Sequence, residues 1–325
     1  MNIQTFASSP LRLSLLGGGT DIPHIFNKLS KGKTVTASLN LFVTVGCTCL
    51  PFFKGIKLKY STNETVENTD LIIHPIFKEA LKHFGFNEKK NNGIEIISTA
   101  SLPSGNGLGS SAAFTASLIQ CLNKHLNNKL YDKEELLNLS TLIERKSGNN
   151  NIGFQDQVAS IYGSFSSTTY QANRIKVDSA SKEWTKGMKN LIENRGFLIK
   201  TESRKGLSSD FIQSQSLEKN FSTYEELLSL AEEVNIEQPY FEEEKIINLL
   251  AESAKISNQT KIRTKLINEL EESLNNFGAI YSKQLGAGGG GFIFCLFKNN
   301  PKNLPANLKK IMLKPTINQG GIKVF

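Results

Sequence analysis

The sequence predicts an α+β protein built from two domains, and three observations support this. The first third is rich in apolar and β-branched residues that alternate as in strands. A glycine-rich segment at residues 103–113 separates one such strand from a helix-forming run. After residue 190, helical stretches lead to a second strand–glycine–strand segment. A chain of 325 residues can hold two packed domains, and we place them at 1–185 and 186–325.

The first domain is expected to begin with a sheet and to continue with helices. Alternation predicts four early strands, at residues 7–16, 34–39, 42–50 and 56–61. Helical spacing predicts a helix at 70–84, and a strand at 94–97 leads into the glycine segment and a helix from 112 to about 122.

Capping residues place the next two helices. Asp132, with Glu135 three residues later, forms the pattern of a capping box, and Gly148 ends the helix that follows. Glu144 then lies on the last turn of that helix. A short helix is expected at 155–162, followed by short strands from residue 165.

The second domain is expected to combine strands with a run of three helices. A strand at 197–201 precedes a polar, basic loop at 203–209. Three amphipathic helices should follow, and then two strands that flank a glycine tract at 286–291. Their predicted ranges are 217–234, 242–257 and 261–277 for the helices, and 281–285 and 292–297 for the strands.

Composition excludes several classes of protein. The net charge of +8 comes from dispersed lysines, so a nucleic-acid-binding face is not expected. The longest apolar tract is interrupted by polar residues and proline, and no secretory signal is present, so we expect a cytoplasmic protein without a membrane association. The cysteines and histidines match no zinc spacing, and we expect the four cysteines to be small core residues: Cys47, Cys49, Cys121 and Cys295.

The segment at 103–113 has the features of a phosphate-binding loop. Alternate glycines allow close approach of the backbone to a ligand, and the first N–H groups of the following helix lack partners within the helix. The helix dipole adds roughly half a positive charge there. The loop lacks the lysine of a Walker A motif and the spacing of a dinucleotide fingerprint. The simpler alternative is a turn that only joins strand to helix.

Two other segments carry weaker signals of the same kind. A strand at 10–16 runs into Gly17, Gly18 and Gly19, and Asp21 follows. Asp21 would either accept hydrogen bonds from hydroxyl groups or cap the helix that Pro23 opens. The run of glycines at 286–291 exceeds what a turn needs, so a ligand or another loop should pack against its bare backbone.

Taken together and in this order, three segments resemble the motifs of the GHMP kinase superfamily: residues 10–21, 103–113 and 283–292. The resemblance implies an N-terminal domain like ribosomal protein S5 domain 2 and a ferredoxin-like C-terminal domain. It also implies an ATP-dependent phosphotransferase with an alcohol acceptor. The residues that would bind ATP are Pro103, Ser104, Gly105, Asn106, Gly107, Leu108, Gly109, Ser110, Ser111 and Ala112.

The resemblance also assigns roles outside the loop. Ser111 and Glu144 would hold Mg²⁺, and Asp156 would face the acceptor hydroxyl. Arg12 would stabilise charge on the transferred group or hold that aspartate. The expected substrate-binding residues are Gly18, Gly19, Thr20, Asp21, Gly288, Gly289, Ser203, Arg204 and Lys205.

The first motif narrows the implied acceptor. It reads Gly-Gly-Gly-Thr-Asp at 17–21, without the Glu and His that are frequent in galactokinases. This resembles the branch of heptose 7-phosphate kinases, near fucokinase-like relatives. That branch implies phosphorylation of an anomeric hydroxyl to give a heptose 1,7-bisphosphate for surface polysaccharide. The phosphate already on the acceptor would need a second anion site, for which Arg204 and Lys205 are the expected residues.

Other functions remain open at this point. A kinase for a free sugar or a mevalonate-type acid would use the same three motifs. A nucleotide-binding regulator without turnover would share the loop, but Ser111, Glu144 and Asp156 are all present. An RNA-binding module is disfavoured because the basic residues do not cluster. We therefore expect small-molecule partners, ATP and a sugar phosphate.

Overall fold

The computed structural model describes residues 4–87, 92–148, 152–202, 221–259, 261, 263–301 and 304–325. Its strands are β1 Gln4–Leu16, β2 Gly32–Leu50, β3 Ile56–Lys59, β4 Asn63–Val66, β5 Gly93–Ala100, β6 Phe165–Gln171, β7 Arg174–Ser179, β8 Gly196–Lys200, β9 Ala279–Gln284, β10 Phe292–Phe297, β11 Met312–Leu313 and β12 Lys323–Val324. Its helices are α1 Pro23–Lys28, α2 Pro75–His83, α3 Ser110–Asn127, α4 Lys133–Lys146, α5 Gln155–Tyr162, α6 Lys182–Arg195, α7 Phe221–Glu232, α8 Glu243–Gln259, α9 Lys265–Asn276 and α10 Ala306–Ile311.

The N-terminal sheet is organised around one long strand, β2. Its first half pairs with β6 and its second half with β5, while β1 runs antiparallel along nearly its whole length. The strand order is β12-β1-β2-β5-β3-β4, with β6 and β7 attached at β2. The two strands predicted at 34–39 and 42–50 are therefore one strand, because β1 pairs with both of its halves. Helices α3 and α5 cover one face of this sheet, and α4 packs against both helices.

The second sheet has the order β11-β8-β10-β9, and all three pairings are antiparallel. Helices α7 to α9 connect β8 to β9, and α10 precedes β11. This order and connection are those of a ferredoxin-like domain, as the resemblance implies.

A shared core joins the two sheets. Leu11, Leu13 and Leu15 of β1 belong to the same buried cluster as Leu198 and Phe294 of the second sheet. The last strand, β12, returns to pair with β1. These contacts place the three glycine-rich segments at the junction between the sheets. The division of the chain at residue 185 remains a prediction.

Several local predictions are confirmed and others are wrong. The capping box at Asp132 and Glu135 forms as predicted, and β10 has the predicted bounds. The helix predicted at 70–84 starts only at Pro75, after a short 3₁₀ turn. Helices α6 and α10 were not predicted. All four cysteines are buried and unbridged, as expected. Within the described ranges, no helix has the length and apolarity needed to cross a bilayer.

Candidate active site

The glycine-rich loop joins β5 to α3, and its backbone requires the alternate glycines. Gly105, Gly107 and Gly109 all adopt left-handed conformations, with φ between 72° and 76°. A Cβ atom on Gly107 would also lie 2.6 Å from the carbonyl oxygen of Leu285. Both the conformation and the close approach therefore exclude larger residues. The side chain of Asn106 holds the loop from within, accepting from the N–H of Leu108 and donating to the carbonyl of Pro103.

The N-terminus of α3 opens toward a cavity. Its N-cap is Gly109, so no side chain caps the first N–H groups of the helix. Ser110, Ser111 and Ala112 in its first turn line the cavity, as do Ser104 and Gly105 before it. The loop therefore has the geometry of an anion cradle, as the sequence predicts.

The glycine tract at 286–291 packs against this loop. A Cβ atom on Gly286 would lie 2.8 Å from the Cα of Gly107, and one on Gly291 would lie 2.5 Å from the carbonyl oxygen of Asn106. The excess of glycine in the tract thus serves contact with another loop, one of the two alternatives drawn from the sequence. Gly286 and Ala287 line the cavity, whereas Gly288 and Gly289 do not.

Arg12 and Asp156 form a bidentate ion pair at the loop. The guanidinium donates from Nε to Oδ1 at 2.6 Å and from Nη2 to Oδ2 at 3.0 Å. Its third contact is to the carbonyl oxygen of Gly107. Arg12 is 4% exposed, whereas the Asp156 side chain is 31% exposed and lines the cavity. A paired arginine thus fixes the carboxylate and the loop relative to each other.

Asp21 is held differently, by neutral donors. Its carboxylate accepts from the backbone N–H groups of Gly19 and Gln155, both at 3.0 Å, and from the Gln155 side-chain amide at 3.2 Å. It does not cap α1, whose N-cap is Ile22, so the capping alternative is wrong. Burial is the main cause that raises the pKa of Asp21, and the nearby charge of Asp156 adds to it. Asp21 therefore fixes the start of α5, which carries Asp156.

Glu144 and Ser111 face the same cavity from α4 and α3. Glu144 is 2% exposed, and its Oε2 accepts from the Gln157 amide at 2.8 Å. A buried carboxylate beside a phosphate-binding loop is favourable when a divalent cation lies between them, and carboxylate and hydroxyl oxygens suit Mg²⁺. In the described part of the chain, no cluster of three or more acidic, His or Cys side chains forms a metal cage. The donors thus fit a cation that is bound mainly by nucleotide phosphates.

One cavity of about 940 Å³ joins all these groups. One wall of the cavity is aromatic, and sequence reasoning missed it. This wall consists of Tyr60, His74 and Phe114. The rings of Tyr60 and Phe114 lie 4.9 and 5.4 Å from that of His74. Glu64 supports the wall by accepting from the Tyr60 hydroxyl and the His74 N–H. These residues carry no shared motif, so only the fold brings them together.

A further predicted substrate-binding residue does not line the cavity. Thr20 is fully buried, and its hydroxyl donates to the carbonyls of Gly17 and Lys33, so it holds the turn rather than lining the cavity. Ser203, Arg204 and Lys205 fall outside the described residues. Sequence reasoning also missed Lys261 and Lys283, which do line the cavity.

Comparison with known proteins gives a consistent family assignment. The model of GHMP kinase N-terminal domains matches residues 72–164, and that of GHMP kinase C-terminal domains matches 239–312. D-glycero-alpha-D-manno-heptose 7-phosphate kinase of Campylobacter jejuni is 27% identical, over 93% of this chain and 92% of the relative.

Solved structures share the fold along nearly the whole chain. A D-glycero-D-manno-heptose 1-phosphate kinase from Bacteroides thetaiotaomicron superposes with a TM-score of 0.75 at 16% identity, covering 99% of this chain and 98% of the other. A sugar kinase from Campylobacter jejuni, described as putative, superposes with a TM-score of 0.71 at 22% identity and the same coverage. The two domain models, with the phosphate loop between β5 and α3, place the chain in the GHMP kinase family of ATP-dependent kinases, whose fold these structures share.

Proposed function

We propose that the protein is an ATP-dependent sugar kinase that phosphorylates the anomeric hydroxyl of D-glycero-D-manno-heptose 7-phosphate. The product would be the 1,7-bisphosphate, a precursor of nucleotide-activated heptose for surface polysaccharide. The observation that carries the proposal is the Arg12–Asp156 pair, which lies between the phosphate loop and the Asp21–Gln155 contact. The similarity to the Campylobacter heptose 7-phosphate kinase supports the choice of acceptor.

The cavity has suitable surroundings for each part of ATP. The uncapped amides at the start of α3 would bind the phosphates. The aromatic wall of Tyr60, His74 and Phe114 would receive the base. The Nδ1 atom of His74 is buried and has no hydrogen-bond partner among the described residues.

Transfer of the phosphoryl group would occur beside Asp156. A Cβ atom on Gly109 would lie 3.4 Å from the Cβ and Cγ of Asp156, so the carboxylate adjoins the loop. The acceptor oxygen would form a bond to the γ-phosphorus as the bond to the ADP oxygen breaks. Asp156 would orient the hydroxyl and accept its proton, while Arg12 balances the charge.

The acceptor wall is formed by Gly18, Asp21 and Gln155. The Gln155 side chain lies against Gly18, where a Cβ atom would come within 3.8 Å of its amide atoms. Its Oε1 atom is buried without a hydrogen-bond partner in the described ranges. This oxygen would accept a hydrogen bond from a sugar hydroxyl, because an unpaired buried acceptor is costly until a ligand satisfies it. The roles of Ser203, Arg204 and Lys205 toward the acceptor phosphate remain predictions.

Ser111 and Glu144 would hold Mg²⁺. The cation would neutralise the β- and γ-phosphates of the nucleotide as the phosphoryl group is transferred. Gln157 would fix the orientation of Glu144 through the hydrogen bond that its amide donates.

A coupled ADP-release assay tests the proposal directly. Heptose 7-phosphate, free mannose, free fucose and mevalonate are compared as acceptors, and ³¹P NMR locates the new phosphate. We expect turnover with heptose 7-phosphate and a new phosphate at the anomeric carbon. Preference for a free sugar would instead establish the fucokinase-like alternative. If no acceptor led to ADP release, both proposals would be contradicted.

A further inference from the structure

A cluster of three cationic side chains lies inside the cavity, and the proposed mechanism uses only one of them. Lys283, near the end of β9, is 3% exposed and lines the cavity. Its Nζ donates to the carbonyl oxygens of Ser14 and Leu15, at 3.3 and 2.9 Å. These carbonyls belong to β1, the strand that also carries Arg12. Lys283 is therefore anchored on the same strand as the arginine of the ion pair.

Lys261 is the third cation. Its ammonium donates to the carbonyl oxygen of Gln284, and its side chain lines the same cavity. Its neighbours Arg263 and Glu271 are already paired with each other at 2.5 Å. Lys261 therefore adds a second ammonium group to the wall of the cavity.

Neither lysine of this cluster has an ion-pair partner among the described residues. Asp156 is matched by Arg12, and no carboxylate of a described residue lies within 4 Å of either lysine ammonium. Burial, and secondarily the charge of Arg12, lowers the pKa of Lys283 to about 7. Burial, with the charges of Lys283 and Arg12, lowers the pKa of Lys261 well below its usual range. Such a cluster is unfavourable in the absence of an anion.

We propose that Lys283, assisted by Lys261, binds a phosphoryl group of a substrate in this cavity. An ammonium has three donors, and the two carbonyls of β1 leave one N–H of Lys283 for the ligand. The ligand chemistry is a phosphate monoester or a terminal phosphoanhydride. It would come either from the γ-phosphate of ATP or from the phosphate that the acceptor already carries. The second source rests on the proposed function, whereas the first does not.

Binding of the anion should be linked to uptake of a proton. With a pKa near 7, Lys283 loses its charge as the pH rises above neutrality. A bound phosphate raises that pKa, because the opposite charge favours the ammonium form. The affinity should therefore be highest below pH 7 and should fall by up to about tenfold for each pH unit above it. The charged groups near Lys283 are Arg12 and Lys261, and Asp156 is paired with Arg12.

The test compares Lys283→Met and Lys261→Met with a matched control, Lys33→Met. Lys33 is a half-buried lysine that, like Lys283, donates to a backbone carbonyl, here that of Val234 at 2.9 Å, but it does not line the cavity. Isothermal titration calorimetry measures the Kd values of a non-hydrolysable ATP analogue with Mg²⁺ and of heptose 7-phosphate, at pH 6.5 and 8.5. None of these titrations requires turnover.

We expect Lys283→Met to weaken binding of one of the two ligands by about tenfold or more at pH 6.5, the effect of one lost charge-assisted hydrogen bond. The fall in affinity between pH 6.5 and pH 8.5 that is due to Lys283 should be absent from this variant. Lys261→Met should weaken the same ligand, and Lys33→Met should change neither. A loss confined to the ATP analogue assigns the γ-phosphate as the ligand, and a loss confined to heptose 7-phosphate assigns the acceptor phosphate.

The proposal is overturned if folded Lys283→Met binds both ligands as wild type does, with the same pH dependence. Lys283→Gln provides a second variant if the methionine variant does not fold, with the same expectations. If wild type fails to bind heptose 7-phosphate but Lys283→Met loses affinity for the ATP analogue, the proposed acceptor is wrong and the lysine assignment stands.

Discussion

Asp21 and Asp156 face one cavity, but the protein holds their carboxylates in opposite ways. Asp156 is paired with a guanidinium and is about one-third exposed. Asp21 is nearly inaccessible and is held by two backbone N–H groups and one side-chain amide. A carboxylate that reaches into the cavity beside an arginine can accept a proton from a substrate hydroxyl during a reaction. A carboxylate surrounded by neutral donors fixes geometry, and here it fixes the start of the helix that carries Asp156.

The largest expected effect is that of Asp156→Asn. Asparagine keeps the shape of the side chain but cannot accept the hydroxyl proton or match the charge of Arg12. We expect kcat to fall by about a hundredfold or more, while the Kd for ATP stays within a few-fold of wild type. Steady-state kinetics and calorimetry measure the two quantities. Normal turnover in a folded Asp156→Asn variant would remove the distinction between the two aspartates.

Asp21→Asn should give a smaller effect of a different kind. The new amide would place a donor against the N–H groups that Asp21 now satisfies, so the segment that contains Gln155 should shift. We expect the KM for the acceptor to rise by about tenfold, corresponding to about 1.4 kcal/mol, with little change in the Kd for ATP. A fall in kcat as large as that of Asp156→Asn would show that both aspartates act on the reacting atoms.

Glu144→Gln extends the comparison to a third carboxylate of the cavity, which is buried. If this group holds Mg²⁺, removal of its charge should raise the metal concentration that gives half-maximal activity by several-fold, and saturating Mg²⁺ should restore much of the rate. Ser111→Ala should act in the same direction. Titrations of activity with MgCl₂ measure both variants. A rate that stays low at saturating Mg²⁺, with an unchanged metal requirement, would argue against the assignment.

The smallest effect concerns stability and pH. Because the pKa of Asp21 is raised in the folded state, the native protein retains this proton at a higher pH than the unfolded chain does. The resulting contribution is fully present below the unfolded value near 3.8 and is lost as the pH rises through the folded value. The stability of wild type relative to Asp21→Asn should therefore decrease as the pH rises above the unfolded value. Thermal unfolding of both proteins checks this, and a pH-independent difference would contradict it.

Local chemistry made part of this site predictable. The alternate glycines of the loop, the capping box at Asp132 and the position of Glu144 on the last turn of its helix follow from nearby residues. The excess of glycine at 286–291 also predicted that either a ligand or another loop would pack against the tract, and the structure shows a loop. These features depend on backbone conformation over a few residues, which residue type strongly restricts.

The missing part consists of contacts between distant residues. Asp21 meets Gln155, which lies 134 positions away, and Lys283 meets the carbonyl of Leu15, which lies 268 positions away. The aromatic wall at His74 has the same origin. The undivided strand β2 also depends on two different partner strands. No local pattern encodes such pairings, because they arise only when distant segments of the chain fold together.

A crystal structure of the protein with a non-hydrolysable ATP analogue and Mg²⁺ would show whether the start of α3 binds the nucleotide phosphates. We expect phosphate oxygens within hydrogen-bond distance of the backbone N–H groups at the start of α3, with the γ-phosphate facing the Arg12–Asp156 pair. Phosphates bound elsewhere, or an Asp156 carboxylate directed away from the γ-phosphate, would contradict this expectation.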